Sequence, residues 1–563
     1  MRPAPSGPQA AQRHRATPLQ AAMAVALPLL LASCLAACGS HASGGSMASL
    51  QVGSALAAQQ EIVRGVDAGG MRSLDPSIST DIPAERVLDD IFEGLTRLDQ
   101  SGEPAPGLAT HWETSGDGRT WTFHLREARW SNGEPVRAGD FVFAWRRTVD
   151  PRTASDYGQA LAAVVNAIDI NEGRAAPATL GIEAPDDHTV VVHLKAPTPY
   201  LLSLLSKAYT YPQYEPVIRA HGSAWTDPGH IVGNGAFLLR EHVIGGRVTL
   251  TRNPQYWDAA HVRLQQVVYL PLDRAVQTDR FFAGDLAFTD SFSAEQTAWL
   301  RSRLGSQVVS APYLGNFVLG VNVLHPPFAG NRELRLALTM ALDRETLVRY
   351  VRQGLYQPAW TPTPPLPGYR APVPAWASLP QAQRLALARH HYQLAGYSAR
   401  HPLQVDLYYP TDTDNRRTYE AVAAMWRSNL GAEVHTFNEE FRVQVNERHL
   451  KQLPLFHYAW IGDYPDPYTF LQLFRTGFGY NDGGYSNPAY DRLLERADME
   501  SDAGARLALL AEAERLLNDD VACIPIYYYA SRHLIKSYVR GWTSNIQDRN
   551  LSQYMYVLEH QRN

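Results

Sequence analysis

The 563-residue sequence is poor in cysteine and in lysine. It contains three Cys, and two of them lie within the first 38 residues, so Cys523 is alone in the rest of the chain. The body of the protein therefore cannot form an internal disulfide, even where an oxidising compartment would permit one. Cys523 lies in an apolar run, which favours a packed thiol over a reactive one. Only four Lys accompany 47 Arg, a bias typical of a GC-rich genome.

The motifs of several enzyme classes are missing as well. The sequence has no His-Glu-x-x-His and no Gly-x-Ser-x-Gly, and no Lys follows a Gly as a phosphate-binding loop requires. His390 and His391 are neighbours on a predicted helix and face different directions, which disfavours a metal site. Four carboxylates could be imagined as the acid and base of a glycosidase, but their spacing does not demand it: Asp412, Asp414, Asp463 and Asp466. We therefore expect no enzyme, no cofactor and no metal.

Long hydrophobic runs are absent except at the N-terminus. Ala21–Leu31 is almost wholly apolar, follows a segment with three Arg, and is too short to span a membrane. Two tetrapeptides that resemble the lipobox of bacterial lipoproteins follow it, Leu-Ala-Ser-Cys34 and Leu-Ala-Ala-Cys38. The sequence predicts a lipoprotein signal peptide over 1–37 and a lipid on Cys38, because a polar stretch begins directly after Cys38; Cys34 is the alternative. A plain secretory signal would leave both Cys incidental.

Residues 38–60 are rich in Ser, Gly and Ala, which predicts a flexible tether. Signal peptide, lipid and tether together predict a membrane-anchored lipoprotein of the periplasm or cell envelope. Removal of 1–37 would change the formal net charge from −5 to −8, since that segment has three Arg and no acid. A mildly acidic body without a basic run argues against nucleic-acid binding.

The body has the composition of an α/β protein with several domains. About 500 residues are too many for one core and predict two or three domains. Strand-like alternation recurs, as in Thr189–Leu194, and helical spacing recurs, as with Leu334, Leu338 and Leu342. No clean linker cuts the chain into sequential units, so we expect domains built from discontinuous segments.

The stretch Trp460–Leu471 is the most informative part of the chain. The apolar run Leu455–Trp460 predicts a short buried strand, and Gly462 and the prolines that follow end it. Asp463 therefore lies just past the end of a strand, beside a large indole. A carboxylate in such a place is costly to bury unless a cation meets it, which indicates an acceptor for a ligand's ammonium group. The alternative is that Asp463 caps a turn and that Trp460 belongs to the core.

Aromatic residues are abundant, with 28 Tyr and 12 Trp. Tyr provides a wide contact area and a hydroxyl at a low cost in conformational entropy. An exported chain that is rich in Tyr and lacks catalytic motifs is typical of a binding protein, although ordinary core packing accounts for most of these rings.

A series of short motifs in a fixed order carries a family resemblance from about Ile62 to the C-terminus. They include Ser73-Leu-Asp-Pro76, Ile91-Phe-Glu-Gly-Leu95, Trp130-Ser-Asn-Gly133, Ile231-Val-Gly-Asn-Gly-Ala-Phe237, Asn253-Pro-Gln-Tyr-Trp257, Ala341-Leu-Asp-Arg344 and Ile524-Pro-Ile-Tyr-Tyr-Tyr529. On these residues the chain resembles the periplasmic oligopeptide-binding proteins of ABC transporters, extracytoplasmic solute-binding protein family 5. The resemblance implies an α/β fold: a bilobed periplasmic-binding-protein clamshell of type II with an additional third domain.

The same resemblance implies the domain boundaries. Lobe I would comprise 50–92, 217–314 and 531–563, the extra domain 93–216, and lobe II 315–530. Ligand binding would close a hinge between the lobes over an extended peptide, whose main chain would pair with protein main chain.

The resemblance also implies the site that receives the N-terminus of the peptide. Asp463 matches the residue that accepts the α-ammonium group. Trp460 and Ile461 match wall residues of the same pocket, and Tyr157 matches a residue that reaches the ligand from the extra domain.

The site for the other end of the peptide departs from the family pattern. Arg448 matches a basic residue near the pockets, and Arg352 aligns with one that meets the C-terminal carboxylate. His457 stands where close relatives carry an Arg, and Asn415 where they carry a His. We therefore expect carboxylate capture to rest on Arg352 and Arg448, and affinity to rise as His457 gains a proton toward pH 6.

These features predict a lipid-anchored, monomeric receptor that captures short peptides and delivers them to the transmembrane subunits of an ABC permease. A murein-peptide or dipeptide receptor of the same fold remains open, because Asp463 would serve a free amino group there too. A peptide sensor or adhesin that is not coupled to transport also remains open.

Overall fold

The computed structural model describes residues 52–560 except for 72, 156, 157, 159 and 412, and it leaves the side chains of 413 and 414 undescribed. The predicted signal peptide, Cys34, Cys38 and Tyr157 lie outside the described residues.

Strands and helices alternate along the described chain. The strands are β1 (Val52–Leu56), β2 (Glu61–Val66), β3 (Thr96–Leu98), β4 (Pro104–Pro106), β5 (Ala109–Thr114), β6 (Thr120–Leu125), β7 (Ile182–Asp186), β8 (Thr189–His193), β9 (Phe237–Val243), β10 (Arg247–Arg252), β11 (Gln266–Pro271), β12 (Val308–Val321), β13 (Gln357–Pro358), β14 (Gln404–Pro410), β15 (Glu433–Glu439), β16 (Leu455–Ile461), β17 (Cys523–Leu534), β18 (Val539–Arg540) and β19 (Tyr556–His560). The α-helices are α1 (Ile82–Ile91), α2 (Ala138–Val149), α3 (Ala167–Asn171), α4 (Leu201–Leu204), α5 (Glu215–His221), α6 (Arg274–Ala283), α7 (Thr297–Leu304), α8 (Arg332–Met340), α9 (Arg344–Thr346), α10 (Gln381–Leu394), α11 (Thr413–Leu430), α12 (Phe441–His449), α13 (Tyr468–Leu471), α14 (Pro488–Met499) and α15 (Ala503–Asp520). Among the helices of this described part, none is both long and apolar enough to cross a membrane.

The sheets combine distant parts of the chain. One four-stranded sheet has the order β2-β11-β10-β9 and joins the segment before α1 to strands some 170 residues later. A second four-stranded sheet, β5-β6-β8-β7, comes wholly from within 93–216. The six-stranded sheet β13-β17-β12-β16-β14-β15 is centred on 315–530, and its long strands β12 and β17 extend beyond that range.

The end of the predicted tether differs from expectation. Val52–Leu56 form β1, which pairs antiparallel with β19 and is extended by a hydrogen bond of 2.9 Å from the Ala57 N–H to the Val557 carbonyl. Backbone pairing with the last strand orders this segment although most of its side chains are exposed, so composition alone could not reveal it. The prediction of a flexible tether over 38–60 is therefore corrected from Val52 onward.

The six-stranded sheet positions the candidate site. β12 pairs antiparallel with β17 on one side and with β16 on the other, where Gly315 lies opposite Ile461. The predicted strand over Leu455–Trp460 is confirmed, and it extends by one residue to Ile461. Because neighbouring residues of a strand face opposite sides of the sheet, Trp460 and Ile461 belong to different faces.

Candidate functional site

Asp463 lies two residues beyond the end of β16, in a turn held by backbone contacts. The Gly462 N–H donates to the Leu314 carbonyl (2.8 Å), and the Asp463 N–H donates to the Thr469 hydroxyl (3.2 Å). A Cβ atom at Gly462 would come within 2.8 Å of the Leu314 side chain, so the close approach to β12 requires glycine. These contacts therefore hold the backbone of the turn at Asp463 in place.

A cavity of about 180 Å³ lies over this turn; we call it the first cavity. Its lining comes from distant segments of the chain: Ile82, Glu85, Arg86, Lys207, Tyr209, Tyr313, Leu314, Ile461, Gly462, Asp463, Gln547, Asp548 and Arg549. The predicted extra domain thus contributes Lys207, and each predicted lobe contributes residues as well.

Most of the charges that line the first cavity neutralise one another. Arg86 contacts Asp548 at 3.0 Å, and Lys207 contacts Glu85 at 3.4 Å. Arg549 pairs with Glu85 too. Within the described residues, Asp463 is the lining carboxylate that forms no ion pair within 4.0 Å.

The environment of Asp463 makes its negative charge costly. Burial raises the pKa of its carboxyl to about 6, the positive charge of Lys207 opposes this rise, and the negative charge of Glu85 adds to it. A hydrogen bond with Thr469 also lowers the pKa. A cation that entered the cavity would relieve this cost, because an opposite charge at short range favours the ionised form.

The two predicted wall residues have different places. Ile461 lines the first cavity beside Asp463. The Trp460 ring packs against Tyr480, with ring centroids 5.3 Å apart, and its indole N–H donates to the Thr469 hydroxyl at 3.3 Å. Trp460 thus donates to the Thr469 hydroxyl, which also accepts the hydrogen bond from the Asp463 N–H.

Arg448 is engaged within the protein. It is buried, its Nε lies 2.9 Å from a carboxylate oxygen of the equally buried Asp482, and its Nη1 donates to the His457 carbonyl at 3.3 Å. A ligand carboxylate would have to compete with Asp482 for this guanidinium. The expectation that carboxylate capture rests on Arg448 is therefore weakened.

His457 is buried in the six-stranded sheet. Its Nδ1 lies 2.8 Å from the Tyr419 hydroxyl, and its ring meets Phe317 edge-on. Burial, together with the nearby positive charge of Arg448, lowers the pKa of His457 to about 3. The expectation that affinity rises toward pH 6 through protonation of His457 is therefore wrong, because the imidazole stays neutral there.

Arg352 and Asn415 lie in the same region. The Arg352 guanidinium is buried 4.9 Å from the centroid of the Tyr356 ring and 5.3 Å from that of Tyr527. Asn415 is half-buried in α11, one helical turn before Tyr419. The positive charges of Arg448 and Arg352 both act on Tyr419, whose pKa burial raises well above its usual value. Four residues predicted for the site of the C-terminal carboxylate thus lie around Tyr419: Arg352, Asn415, Arg448 and His457.

A second cavity of about 170 Å³ shares one residue, Tyr313, with the first. It is lined by Ser310, Ala311, Pro312, Tyr313, Leu355, Gln357, Pro364, Pro365, Tyr528, Tyr529, Ala530 and Ile546. None of these residues is charged, in contrast to the first cavity. Local sequence patterns indicate the aromatic run that contains Tyr528 but not Lys207, Glu85 and Arg549, since no local pattern links these three residues to Asp463.

Comparison with known proteins identifies the family. The family described as bacterial extracellular solute-binding proteins, family 5 Middle, matches residues 103–482. The periplasmic murein peptide-binding protein MppA of Escherichia coli is 36% identical over 534 residues, covering 94% of this chain and 99% of its own. The periplasmic oligopeptide-binding protein OppA of Salmonella typhimurium is 36% identical over 530 residues, covering 92% and 96%.

Solved structures agree with the sequence matches. The E. coli murein tripeptide binding protein MppA superposes with a TM-score of 0.80 at 35% identity, over 90% of this chain and 100% of that one. Haemophilus influenzae OppA in complex with RPPGFSPFR gives a TM-score of 0.77 at 34% identity, with the same coverage.

This likeness confirms the α/β bilobed clamshell of type II with an additional domain. The relatives are binding proteins, which confirms that the chain is not an enzyme. The chain belongs to family 5 of the bacterial extracellular solute-binding proteins.

Proposed function

We propose that this protein captures short oligopeptides in a closing cleft and delivers them to the transmembrane subunits of an ABC permease. The observation that carries the proposal is the Asp463 carboxylate, which lines the first cavity without an ion-pair partner within 4.0 Å in the described chain. The α-ammonium group of a peptide would supply the missing cation. Relatives named as oligopeptide-binding and murein peptide-binding proteins support the same ligand class.

We further propose the lobe boundaries stated above: 50–92, 217–314 and 531–563 for lobe I, 93–216 for the extra domain and 315–530 for lobe II. The first cavity supports them, because its lining draws on all three domains. A ligand held there would contact both lobes at once and so favour their closure.

A murein-peptide receptor is the second candidate. The similarity to MppA of E. coli, in sequence and in structure, favours it. Both candidates use Asp463 for a free amino group, so this residue does not separate them. Native mass spectrometry of protein purified from its own cells would separate them, because diaminopimelate-containing peptides and ordinary peptides differ in mass.

Attachment to a membrane is a separate proposal. The lipobox-like Leu-Ala-Ala-Cys38 supports a lipid on Cys38, with Cys34 as the alternative, and attachment to the cell envelope. We also propose that the protein is a monomer.

Isothermal titration calorimetry with short peptides tests the proposed function. Unmodified peptides of three to five residues should bind with a 1:1 stoichiometry, and free amino acids should bind far more weakly. Absence of heat with every peptide, from a protein first unfolded and refolded to remove retained ligand, would contradict the proposal.

A further inference from the structure

We infer that Arg532 is a carboxylate-binding residue of the ligand cleft, an assignment that rests on the proposed function. Arg532 lies in β17 opposite Ser310 of β12. Its guanidinium lies near two aromatic rings, 6.0 Å from the centroid of Phe292 and 5.7 Å from that of Tyr356. These rings come from segments assigned to different lobes, so the guanidinium lies where the proposed lobes meet.

Arg532 is buried without a counter-ion. The residue is only 8% exposed, and its Nη1 has no hydrogen-bond partner. Arg532 forms no ion pair within 4.0 Å with a carboxylate of the described chain, and its guanidinium carbon lies near the two rings. A buried cation in this state is unfavourable unless an anion joins it.

Most of the other buried arginines in the described chain have carboxylate, hydroxyl or carbonyl partners. Carboxylates neutralise five of them, in the pairs Arg86–Asp548, Arg384–Glu345, Arg448–Asp482, Arg506–Asp466 and Arg549–Asp89. Backbone carbonyls accept hydrogen bonds from two more, Arg335 and Arg344. The fold therefore supplies partners for buried guanidinium groups as a rule, and Arg532 is an exception to that rule.

Arg532 adjoins the second cavity. Its strand partner Ser310 lines this cavity, as does Ala530 two residues earlier in β17. Leu355, the neighbour of Tyr356, lines it as well. Aromatic rings can cover the faces of a guanidinium and leave its N–H groups for a carboxylate, which accepts two of them in a planar arrangement.

The charge pattern of the two cavities matches a zwitterionic ligand. Asp463 provides negative charge in the first cavity, and no charged residue lines the second. Arg352 lies over the same Tyr356 ring as Arg532, at 4.9 Å, and adds positive potential on that side. The matching ligand chemistry is a carboxylate, supplied either by the C-terminus of a peptide or by an acidic side chain.

Calorimetry on alanine peptides of three to five residues tests the assignment. The probes are the free-acid peptide, its C-terminal amide, and amides that carry one Glu or one Gln in place of Ala. The proteins are the wild type, Arg532→Met, Arg532→Lys and the exposed control Arg400→Met, each checked for cooperative thermal unfolding. Arg532→Gln replaces Arg532→Met if the latter does not fold.

We expect Arg532→Met to lose at least tenfold more affinity for a carboxylate-bearing peptide than for its neutral counterpart. Arg532→Lys should retain most of the wild-type preference for carboxylate-bearing peptides, and Arg400→Met should retain all of it. Loss of the preference for free acid over amide assigns the C-terminal carboxylate, and loss of the preference for Glu over Gln assigns a side chain. Equal losses with charged and neutral peptides, or none, would overturn the assignment while the proposed function stands. A wild-type protein that binds no peptide would overturn both the assignment of Arg532 and the proposed function.

Discussion

The ring of Tyr200 stacks on the ring of Tyr464, with centroids 3.9 Å apart and planes inclined by 3°. Tyr464 directly follows Asp463, whereas Tyr200 comes from the predicted extra domain. Arg506 lies 5.7 Å from the centroid of Tyr200 and forms an ion pair of 2.7 Å with Asp466. The stack therefore connects the extra domain to the turn that holds the candidate ammonium acceptor.

Removal of this stack should weaken peptide binding. A stacked aromatic pair contributes about 0.5–1.5 kcal/mol beyond area burial, so Tyr200→Ala should raise Kd roughly 2- to 12-fold if the stack stabilises the closed form. Tyr200→Phe keeps the ring and should bind like the wild type. Calorimetry on both variants checks this, and a Tyr200→Ala protein with a lower Tm but unchanged affinity would contradict it.

Peptide affinity should fall in mild acid because of Asp463. Its carboxyl has a pKa of about 6 in the protein, and only the ionised form pairs with an ammonium group. Affinity should therefore drop about tenfold between pH 7 and pH 5, while the α-ammonium of the peptide stays protonated. Asp463→Asn should bind weakly with no such dependence. A wild-type affinity that is constant over this range would contradict the assignment.

The stability of the unliganded protein should also depend on ionisation of Asp463, but it should rise as the pH falls, whereas peptide affinity should fall. The pKa of Asp463 is raised from 3.8 to about 6 on folding, so the folded state holds the proton more tightly than the unfolded state. Stability should decrease as the pH rises through this window. Asp463→Asn should therefore gain thermal stability relative to wild type at pH 7.5 but not at pH 4. Differential scanning calorimetry at both pH values checks this, and an equal Tm difference would contradict it.

His457 should not titrate near neutral pH. Because its pKa is lowered to about 3 in the folded state, the unfolded state takes up a proton first as the pH falls below 6.5. Stability linked to His457 is therefore present above pH 6.5 and is lost progressively toward pH 3. NMR of the imidazole should show a neutral ring throughout pH 5–8, and His457→Gln should flatten the acid loss of stability. A titration midpoint near 6.5 would contradict the buried placement.

Local sequence patterns predicted the secondary-structure elements better than they predicted which residues contact one another. The apolar run Leu455–Trp460 indicated β16 correctly, and Leu334, Leu338 and Leu342 are all fully buried as their spacing predicted. The helix that this spacing implied ends at Met340, so Leu342 lies between α8 and α9.

Contacts between distant segments could not be predicted. Asp482, which neutralises Arg448, lies 34 residues away, and Lys207 reaches the first cavity from the predicted extra domain. The low pKa of His457 likewise depends on burial by several elements. Such contacts depend on tertiary packing, which local propensity does not encode.

The lipid anchor makes a separate prediction about the N-terminus. Cys38→Ser should abolish incorporation of labelled fatty acid and release the protein from the membrane fraction. Several acyl chains anchor a protein firmly in a membrane, and the variant would have none. Cys34→Ser should leave labelling intact. The reverse result would assign the lipid to Cys34, and labelling of neither would indicate a plain secretory signal.

The pairing of Asp463 with the α-ammonium of a peptide is the central claim, and a calorimetric double-mutant cycle tests it most directly. Removing one partner of a buried charge pair costs about 2–5 kcal/mol, or roughly 30- to 4,000-fold in Kd. Asp463→Ala and N-acetylation of the peptide should each cause a loss of this size, and the two losses should not add, because both remove the same contact. Wild-type protein that binds N-acetylated and free peptides equally well would show that Asp463 is only a turn residue and would contradict the proposed function.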